Sequence, residues 1–209
     1  MSVKRNSKAM LSAGLWGIIF LSLILIVLPS CKKSDEAKSE GGASTAAESK
    51  KSSENFDTWT LFTSEESGFS ILTPRTFSKT IDKTPTEAGE ISYTQFMAQP
   101  NYRHIYIVVT SDMPENLIAG KDPQKLLEGG REGVVNQFQG TVTQEKAISL
   151  DGNPGLESIM TGATQGMNVL VKVRFYLVKN RLYQVYAMAE KGYEDMVAFD
   201  KYLDSFKLK

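Results

Sequence analysis

An uncharged, apolar stretch at residues 9–28 is the feature that most limits what this chain can become. It has 20 residues, and two serines are its only polar side chains. Lys4, Arg5 and Lys8 precede it, and a basic segment followed by an apolar one has the anatomy of a secretory signal. The pattern predicts that these residues direct the chain to a membrane and that the folded part begins after them.

The only cysteine of the chain follows this stretch at Cys31. Leu28, Pro29, Ser30 and Cys31 resemble a bacterial lipobox, in which Leu stands at −3 and a small residue at −1. Pro29 departs from the Ala, Ser or Thr that is preferred at −2 and fits a looser consensus of the spirochaetal kind. The resemblance implies that the sulfur of Cys31 carries a diacylglycerol, that the chain is cut before it, and that its new amino group is acylated.

An uncleaved signal anchor is the alternative interpretation of residues 9–28. Twenty residues at about 1.5 Å each would span a hydrocarbon core of roughly 30 Å. Both interpretations give the same topology, because the three basic residues keep the N-terminus in the cytoplasm. We therefore expect a protein of the bacterial cell envelope, exported and held at the membrane through its N-terminal lipid.

The segment at residues 32–54 has the composition of a flexible linker. It contains no aromatic, branched aliphatic or methionine side chain, and its five basic and five acidic residues cancel. Such a segment cannot bury enough apolar surface to offset the entropy lost on ordering. The predicted organisation is a signal peptide at 1–30, a lipidated cysteine with its linker at 31–54, whose coil spans roughly 25 to 30 Å, and a globular domain at 55–209.

Charge and cysteine content exclude several classes of function. Three of the 24 basic residues and none of the 24 acidic ones precede Cys31, so the exported part carries 21 against 24, a net charge of −3. The two signs are interspersed, whereas a nucleic-acid-binding protein needs a clustered basic surface. A single thiol also allows no internal disulfide and no multi-cysteine zinc site.

Alternating apolar and polar residues beyond residue 56 predict a mostly antiparallel sheet. The predicted strands are 57–63, 68–74, a short edge strand at 77–83, 90–98, 103–111, 141–150, 156–162, 167–178 and 181–190. Residues 84–89 are predicted to form a loop, and the sequence D-G-N-P-G at 151–155 a turn. Both faces of 103–111 are apolar, as in an interior strand that is covered on two sides.

Two helices are predicted beside these strands. Asp122 and Pro123 favour a helix start, because Asp accepts hydrogen bonds from the first free amides and Pro fits the first helical position. This helix should run to about Gln139, with three internal glycines tolerated because it approaches the sheet closely. A second helix at 193–206 carries its apolar residues at helical spacing, namely Met196, Phe199, Leu203 and Phe206.

The last two strands are separated only by Lys179 and Asn180, which predicts a two-residue hairpin loop. Such a loop sets the register and pairs Leu177 with Leu182, Val173 with Tyr186, and Val171 with Met188 on one face. The opposite face would carry Lys172, Arg174, Tyr176 and Tyr183.

Several of these segments together resemble a known fold group over residues 56–208. They are a G-F-S-I-x-x-P strand after an aromatic first strand, the D-G-N-P-G turn, the long hairpin, and a closing helix that ends in D-S-F-K-L. They resemble the PsbP-like group, which contains the extrinsic photosystem II subunit, a eukaryotic Ran-binding import factor and many bacterial lipoproteins. The resemblance implies an α+β fold with an antiparallel sheet flanked by helices on both sides. It also implies a binding or assembly role.

No catalytic, cofactor-binding or metal-binding residue is predicted. His104 is the only histidine, whereas a nucleophile–histidine pair needs a nearby Ser or Cys and a metal site needs further ligands. The chain has no G-x-S-x-G, H-E-x-x-H, P-loop or dinucleotide motif. The acidic pairs at 65–66 and 194–195 stand where turns and helix starts explain them.

The sequence therefore favours a non-enzymatic binding or assembly module. Its expected partners are the membrane and an unknown envelope protein or small ligand, with no nucleic acid and no cofactor. The predicted contact surface consists of Arg174, Tyr176 and Tyr183, provided that no helix covers them, because Arg and Tyr are favoured at interface centres. A helix packed over these side chains is the other interpretation of them, and an envelope hydrolase with an unrecognised site is the alternative function.

Overall fold

The computed structural model describes residues 58–86 and 89–209. The predicted signal peptide, Cys31 and the linker lie outside the described residues. The strands are β1 (Thr60–Ser64), β2 (Phe69–Thr73), β3 (Ser78–Thr86), β4 (Gly89–Ala98), β5 (His104–Asp112), β6 (Thr141–Leu150), β7 (Asn153–Thr164), β8 (Met167–Val178), β9 (Arg181–Glu190) and β10 (Lys207–Leu208). The helices are α1 (Glu115–Ile118), α2 (Pro123–Gln137) and α3 (Met196–Asp204).

Seven antiparallel strands form the main sheet in the order β3-β4-β5-β9-β8-β7-β6. Strands β5 and β9 lie inside it and are buried over nearly their whole length, as the apolar residues on both of their faces require. Strands β3 and β6 form its two edges. Strand β6 is mostly exposed, and a register shift between Val142 and Gln144 interrupts its pairing with β7.

Helix α2 covers one face of this sheet and packs on β7 and β8. It begins as predicted: the Asp122 side chain accepts a hydrogen bond from the backbone N–H of Gln124, and Pro123 occupies the first turn. The close approach predicted as the reason for the helix glycines does not account for Gly130, where an added Cβ would lie 3.4 Å from Phe175 Cδ1. That is an ordinary van der Waals distance, so the packing here does not itself require glycine.

Helix α3 and a small sheet of order β1-β2-β10 cover the opposite face. Aromatic side chains fill the space between the layers, and the rings of Phe69 and Phe96 meet edge to face with centroids 5.2 Å apart. The Oγ of Ser205, at the end of α3, accepts a hydrogen bond from the backbone N–H of Leu72 in β2. The fold is thus an antiparallel sheet with helices on both sides, as predicted, and part of one outer layer is a second sheet.

Most of the predicted elements are confirmed, and the hairpin register is the sharpest case. Leu177 pairs with Leu182, Val173 with Tyr186 and Val171 with Met188. The loop predicted at 84–89 is wrong at its ends, because Thr86 still pairs with Gly89 and the strands continue to that point. The D-G-N-P-G turn is confined to its first two residues, and the next three belong to β7.

Helix length was also overestimated at the end of the chain. Helix α3 begins only after Asp195, whose carboxylate accepts hydrogen bonds from the backbone N–H groups of Val197 and Ala198. Short elements such as α1 and β10 were not predicted. Within the described ranges, none of the helices has the length and apolar character needed to cross a bilayer.

Candidate functional site

A polar cleft opens where the turn between β1 and β2 meets the ends of β4, β5 and β9. Its volume is about 120 Å³, and its lining residues are Glu66, Ser67, Ser92, Thr94, Thr110, Ser111, Asp112 and Arg181. We call this feature the polar cleft. It lies on the face of the main sheet that α3 and the small sheet cover elsewhere.

One row of paired residues crosses four strands at the polar cleft. Thr94 pairs with Thr110, and the same row extends to Ile81 on β3 and to Tyr183 on β9. Residues that pair directly across a sheet project from the same face, so the two threonine side chains stand next to each other. Thr110 is 5% exposed and Thr94 is half-buried, so both side chains belong to the floor of the polar cleft.

An ion pair forms one wall of the polar cleft. Arg181 donates from Nε to Asp112 Oδ1 at 2.6 Å and from Nη2 to Asp112 Oδ2 at 2.8 Å, while its Nη1 donates to the backbone oxygen of Glu66 at 3.2 Å. The hydrogen bond from Arg181 lowers the pKa of the Asp112 carboxyl. The same carboxylate raises the pKa of Arg181. Both groups are therefore charged at neutral pH and neutralise each other.

The other charged groups around the cleft are paired as well. Lys79 Nζ lies 2.6 Å from Glu66 Oε2, and this hydrogen bond lowers the pKa of the Glu66 carboxyl. Lys83 Nζ lies 2.6 Å from Glu90 Oε1 on the neighbouring strand, and this bond raises the pKa of Lys83. Lys79, Lys83 and Arg181 thus each have a carboxylate partner.

Unlike the charged groups, three hydroxyl groups of the cleft have no hydrogen-bond partner among the described residues. Within the part of the chain that the structure describes, the side chains of Ser92, Thr94 and Thr110 make no hydrogen bond to another protein group. A hydroxyl can donate one hydrogen bond and accept two. The hydroxyl groups of these three residues are therefore available to a ligand, between charged groups that are already paired.

The predicted contact surface is not at the surface, and this expectation is wrong for a physical reason. Tyr176 and Tyr183 are each 4% exposed, because the sheet face that carries them is covered by the end of α3. The ring of Tyr176 stacks on Phe206 with centroids 5.7 Å apart. Tyr183 reaches the rim of the polar cleft, where its hydroxyl donates to the backbone oxygen of Ser67 at 2.9 Å.

Arg174, the third residue of that predicted surface, belongs to an ion network between the sheet and α3, in which the sheet residues are covered and the carboxylates of α3 are exposed. Its Nε donates to Glu157 Oε2 at 2.5 Å, and its Nη2 lies 2.7 Å from Asp204 Oδ1. Lys172 is 7% exposed and pairs with Asp200 of the same helix. This network attaches α3 to the sheet, so the second interpretation, a helix packed over these side chains, holds.

The carboxyl of Glu157 shows how completely the network is compensated. Glu157 is only 5% exposed, and burial alone would raise its pKa. Hydrogen bonds from Arg174 and Lys146, with the nearby charge of Lys172, outweigh that effect and lower the pKa of Glu157 below its usual value. The group is thus an ionised structural partner, not a proton donor.

His104 is buried at the start of β5, away from the polar cleft. Its Nε2 lies 2.8 Å from the backbone oxygen of Tyr193, and its Nδ1 lies 3.1 Å from Asn101 Oδ1. Both ring nitrogens thus face local backbone and amide groups that fix the loop before α3. Among residues 58–86 and 89–209, no group of three His, Cys, Asp or Glu side chains is arranged to hold a metal ion.

The polar cleft is not among the sites predicted from the sequence, although the sequence of β4 and β5 contains a signal for it. On β4 and β5 the face that carries Phe96, Tyr106 and Val108 changes to Thr94 and Thr110 at one end of each strand. A buried face that becomes polar on two neighbouring strands at the same level indicates a place where the covering layer stops. Recognising it required the strand pairing, which residue spacing alone does not supply.

Comparisons with known proteins support the fold. No protein-family model and no curated protein sequence matches the chain. The solution structure of cyanobacterial PsbP (CyanoP) from Synechocystis sp. PCC 6803 is similar with a TM-score of 0.50 at 15% identity, over 82% of this chain and 98% of that one. LpqN, involved in cell envelope biogenesis of Mycobacterium tuberculosis, gives a TM-score of 0.43 at 16% identity, over 73% and 91% of the two chains.

At this level of identity the likeness to CyanoP concerns the architecture. The chain has a PsbP-like fold, a mostly antiparallel sheet with a few helices, as the sequence motifs suggested.

Proposed function

We propose that the protein is an exported, lipid-anchored binding module of the bacterial cell envelope, that it has no catalytic activity, and that its ligand contacts the polar cleft. The anchor is the lipidated Cys31, and the linker at 32–54 gives the domain its reach. A flexible tether keeps a binding domain near the membrane and raises its effective concentration there.

The observation that carries the proposal is the state of the carboxyl groups at the polar cleft. The pKa values of Asp112 and Glu66 are both lowered, because Arg181 and Lys79 donate hydrogen bonds to them. A general acid near neutral pH needs a raised pKa, and a general base needs a carboxylate that is free to take a proton. Neither group meets these conditions, whereas fixed charges and free hydroxyls are well suited to binding.

The covered faces of the main sheet are a second reason to propose a binding module and not a hydrolase. Both faces carry filled apolar clusters, and the buried ionisable groups beneath α3 are paired with each other. A hydrolase needs converging groups with shifted pKa values in a cleft that closes over the substrate. The polar cleft is instead a rigid corner between strand ends, which recognises a ligand without enclosing it.

A ligand-capture experiment tests the binding role. Ser92 is exposed in the cleft, so a Ser92→Trp variant should fill it without disturbing the core. Crosslinking on whole cells should recover one or more partners with the natural protein and lose them with this variant. Thr80→Trp is the matched control, since Thr80 is exposed on the other face of β3 and should leave capture unchanged.

Two further outcomes would overturn the proposal. Turnover of a hydrolase substrate by the purified protein, abolished in an Asp112→Asn variant, would establish the enzyme instead. Metabolic labelling with a clickable fatty acid tests the anchor: the label should be lost in Cys31→Ala. Its retention there would rule out the lipid at this residue, and a mature chain that still begins at residue 1 would support the signal anchor.

A further inference from the structure

We infer that the polar cleft binds a neutral, hydroxyl-rich ligand, namely one sugar unit of a saccharide. This inference rests on the binding role proposed above and specifies its ligand. It follows from the charge balance of the cleft, the free hydroxyl groups on its floor, an exposed apolar side chain beside them, and its size.

The charge balance argues against an ionic ligand. Lys79, Lys83 and Arg181 lie in or next to the lining of the cleft, and each has a carboxylate oxygen 2.6 Å away. An anion such as phosphate would have to compete with these carboxylates, and a cation would have to compete with the ammonium and guanidinium groups. A neutral ligand meets no such cost, and it can still use the oxygen lone pairs that Asp112 and Glu66 retain.

The floor of the cleft complements a polyol. A sugar hydroxyl both donates and accepts hydrogen bonds, as do the side chains of Ser92, Thr94 and Thr110. Thr94 and Thr110 are direct cross-strand neighbours, so their hydroxyl groups can engage adjacent hydroxyls of one ring. Because both residues lie on interior strands, the two groups are placed before the ligand arrives, which reduces the entropy cost of binding.

An apolar surface lies next to these hydroxyl groups. Ile81 pairs with Thr94 across β3 and β4, so it lies on the same face of the sheet, and it is 61% exposed. A pyranose ring has polar edges and C–H faces, so one face can pack on Ile81 while its hydroxyls reach the threonines. The aliphatic parts of Lys79 and Lys83, on either side of Ile81, extend this surface.

The size of the cleft limits how much ligand it can hold. Its volume of about 120 Å³ is well below the roughly 300–1,000 Å³ of pockets that enclose a drug-sized molecule. The cleft would bury only part of a single sugar unit, and the other units of a longer saccharide would lie in solvent. Few contacts per unit imply weak binding, with a Kd of about 1 mM for a single sugar.

Saturation-transfer NMR on the full-length protein in detergent micelles tests this inference. The probes are the methyl glycosides of glucose, mannose, galactose and N-acetylglucosamine, with inorganic phosphate followed by its own ³¹P signal. At least one glycoside should receive saturation on its ring protons. In a Thr94→Val/Thr110→Val double variant, which keeps the side-chain shape, its affinity should fall at least tenfold. Thr80→Val should leave the affinity within twofold of the natural protein.

Two exposed positions keep the test decisive if the double variant fails to fold. Ser92→Ala removes one hydroxyl and Ile81→Ser removes the apolar surface, and each should weaken glycoside binding severalfold. Binding that survives these changes places the sugar elsewhere and overturns the inference. So does a panel in which no glycoside binds, or one in which phosphate alone binds.

The outcome separates this inference from the function on which it rests. If no glycoside binds but Ser92→Trp still abolishes partner capture, the binding role stands and the saccharide is wrong. If the cleft variants change neither glycoside binding nor capture, both are wrong.

Discussion

Arg181 and Asp112 face each other on neighbouring strands and join through two hydrogen bonds, although 69 residues separate them in the chain. The same guanidinium also reaches the backbone of Glu66 in the turn between β1 and β2. One side chain therefore links the main sheet to the small sheet that covers it. The corner of the polar cleft is held in shape by this contact.

The Asp112–Arg181 pair predicts a pH dependence of stability. The folded-state pKa of Asp112 is lowered, so its contribution is present above the unfolded pKa of about 3.9 and is lost as the pH falls through the folded value. Asp112→Asn should reduce the free energy of unfolding by up to about 1 kcal/mol at pH 7, since the pair is partly exposed. The difference should shrink below pH 4. Urea unfolding of residues 55–209 at pH 7 and pH 3 measures it, and an equal loss at both values would contradict the assignment.

Removing the buried Glu157 should be far more damaging. Glu157→Ala leaves Arg174 and Lys172 facing each other with one less carboxylate between them, which should cost about 3–5 kcal/mol. Glu65→Ala is the control, because Glu65 is exposed and its change should stay within about 0.5 kcal/mol. Chemical denaturation of both variants gives the comparison. A loss below 1 kcal/mol for Glu157→Ala would mean that the network does not hold α3.

Two glycines should respond to alanine with opposite signs. At Gly155 an added Cβ would lie 2.7 Å from Tyr176 Cδ1 and 2.8 Å from the backbone oxygen of Phe175, so Gly155→Ala should cost about 1–3 kcal/mol. At Gly130 the same atom meets Phe175 at an ordinary distance, and helix propensity then favours alanine by up to about 1 kcal/mol. Thermal unfolding should show a lower Tm for the first variant and a higher one for the second. Equal signs would contradict the packing described for one of the two sites.

The segment 55–209 should fold without the anchor. The described members of both apolar clusters begin at Trp59, and residues 32–54 contain no aromatic, branched aliphatic or methionine side chain to add to them. A purified fragment should melt in one cooperative transition. Aggregation of this fragment under all mild conditions would show that the domain boundary is wrong.

The elements that could be predicted from the sequence are those whose signals are local. The hairpin register followed from a two-residue loop, and the start of α2 followed from Asp122 and Pro123. The small sheet could not be predicted in the same way, because β10 joins β2 across most of the chain through the pairing of Lys207 with Ser70. No spacing rule connects residues that far apart.

The contact surface was misplaced for a related reason. Arg174, Tyr176 and Tyr183 were correctly assigned to one face of the hairpin, but strand alternation does not reveal what covers that face. The amphipathic closing helix was recognised, and its apolar stripe needed a partner. That stripe packs against this face, so the uncovered part of the sheet lies at its end, beside Thr94 and Thr110.

The direction of β1 separates the polar cleft from the end of the domain at which the chain enters. The strand runs from Thr60 to Ser64 and then enters the turn that carries Glu66, so the chain arrives at one end of β1 and the cleft lies at the other. Five residues at about 3.3 Å each separate the two by roughly 17 Å. If Cys31 carries the proposed lipid, the tether joins the domain at the end of β1 that lies away from the polar cleft, so the anchor leaves the cleft open to a ligand.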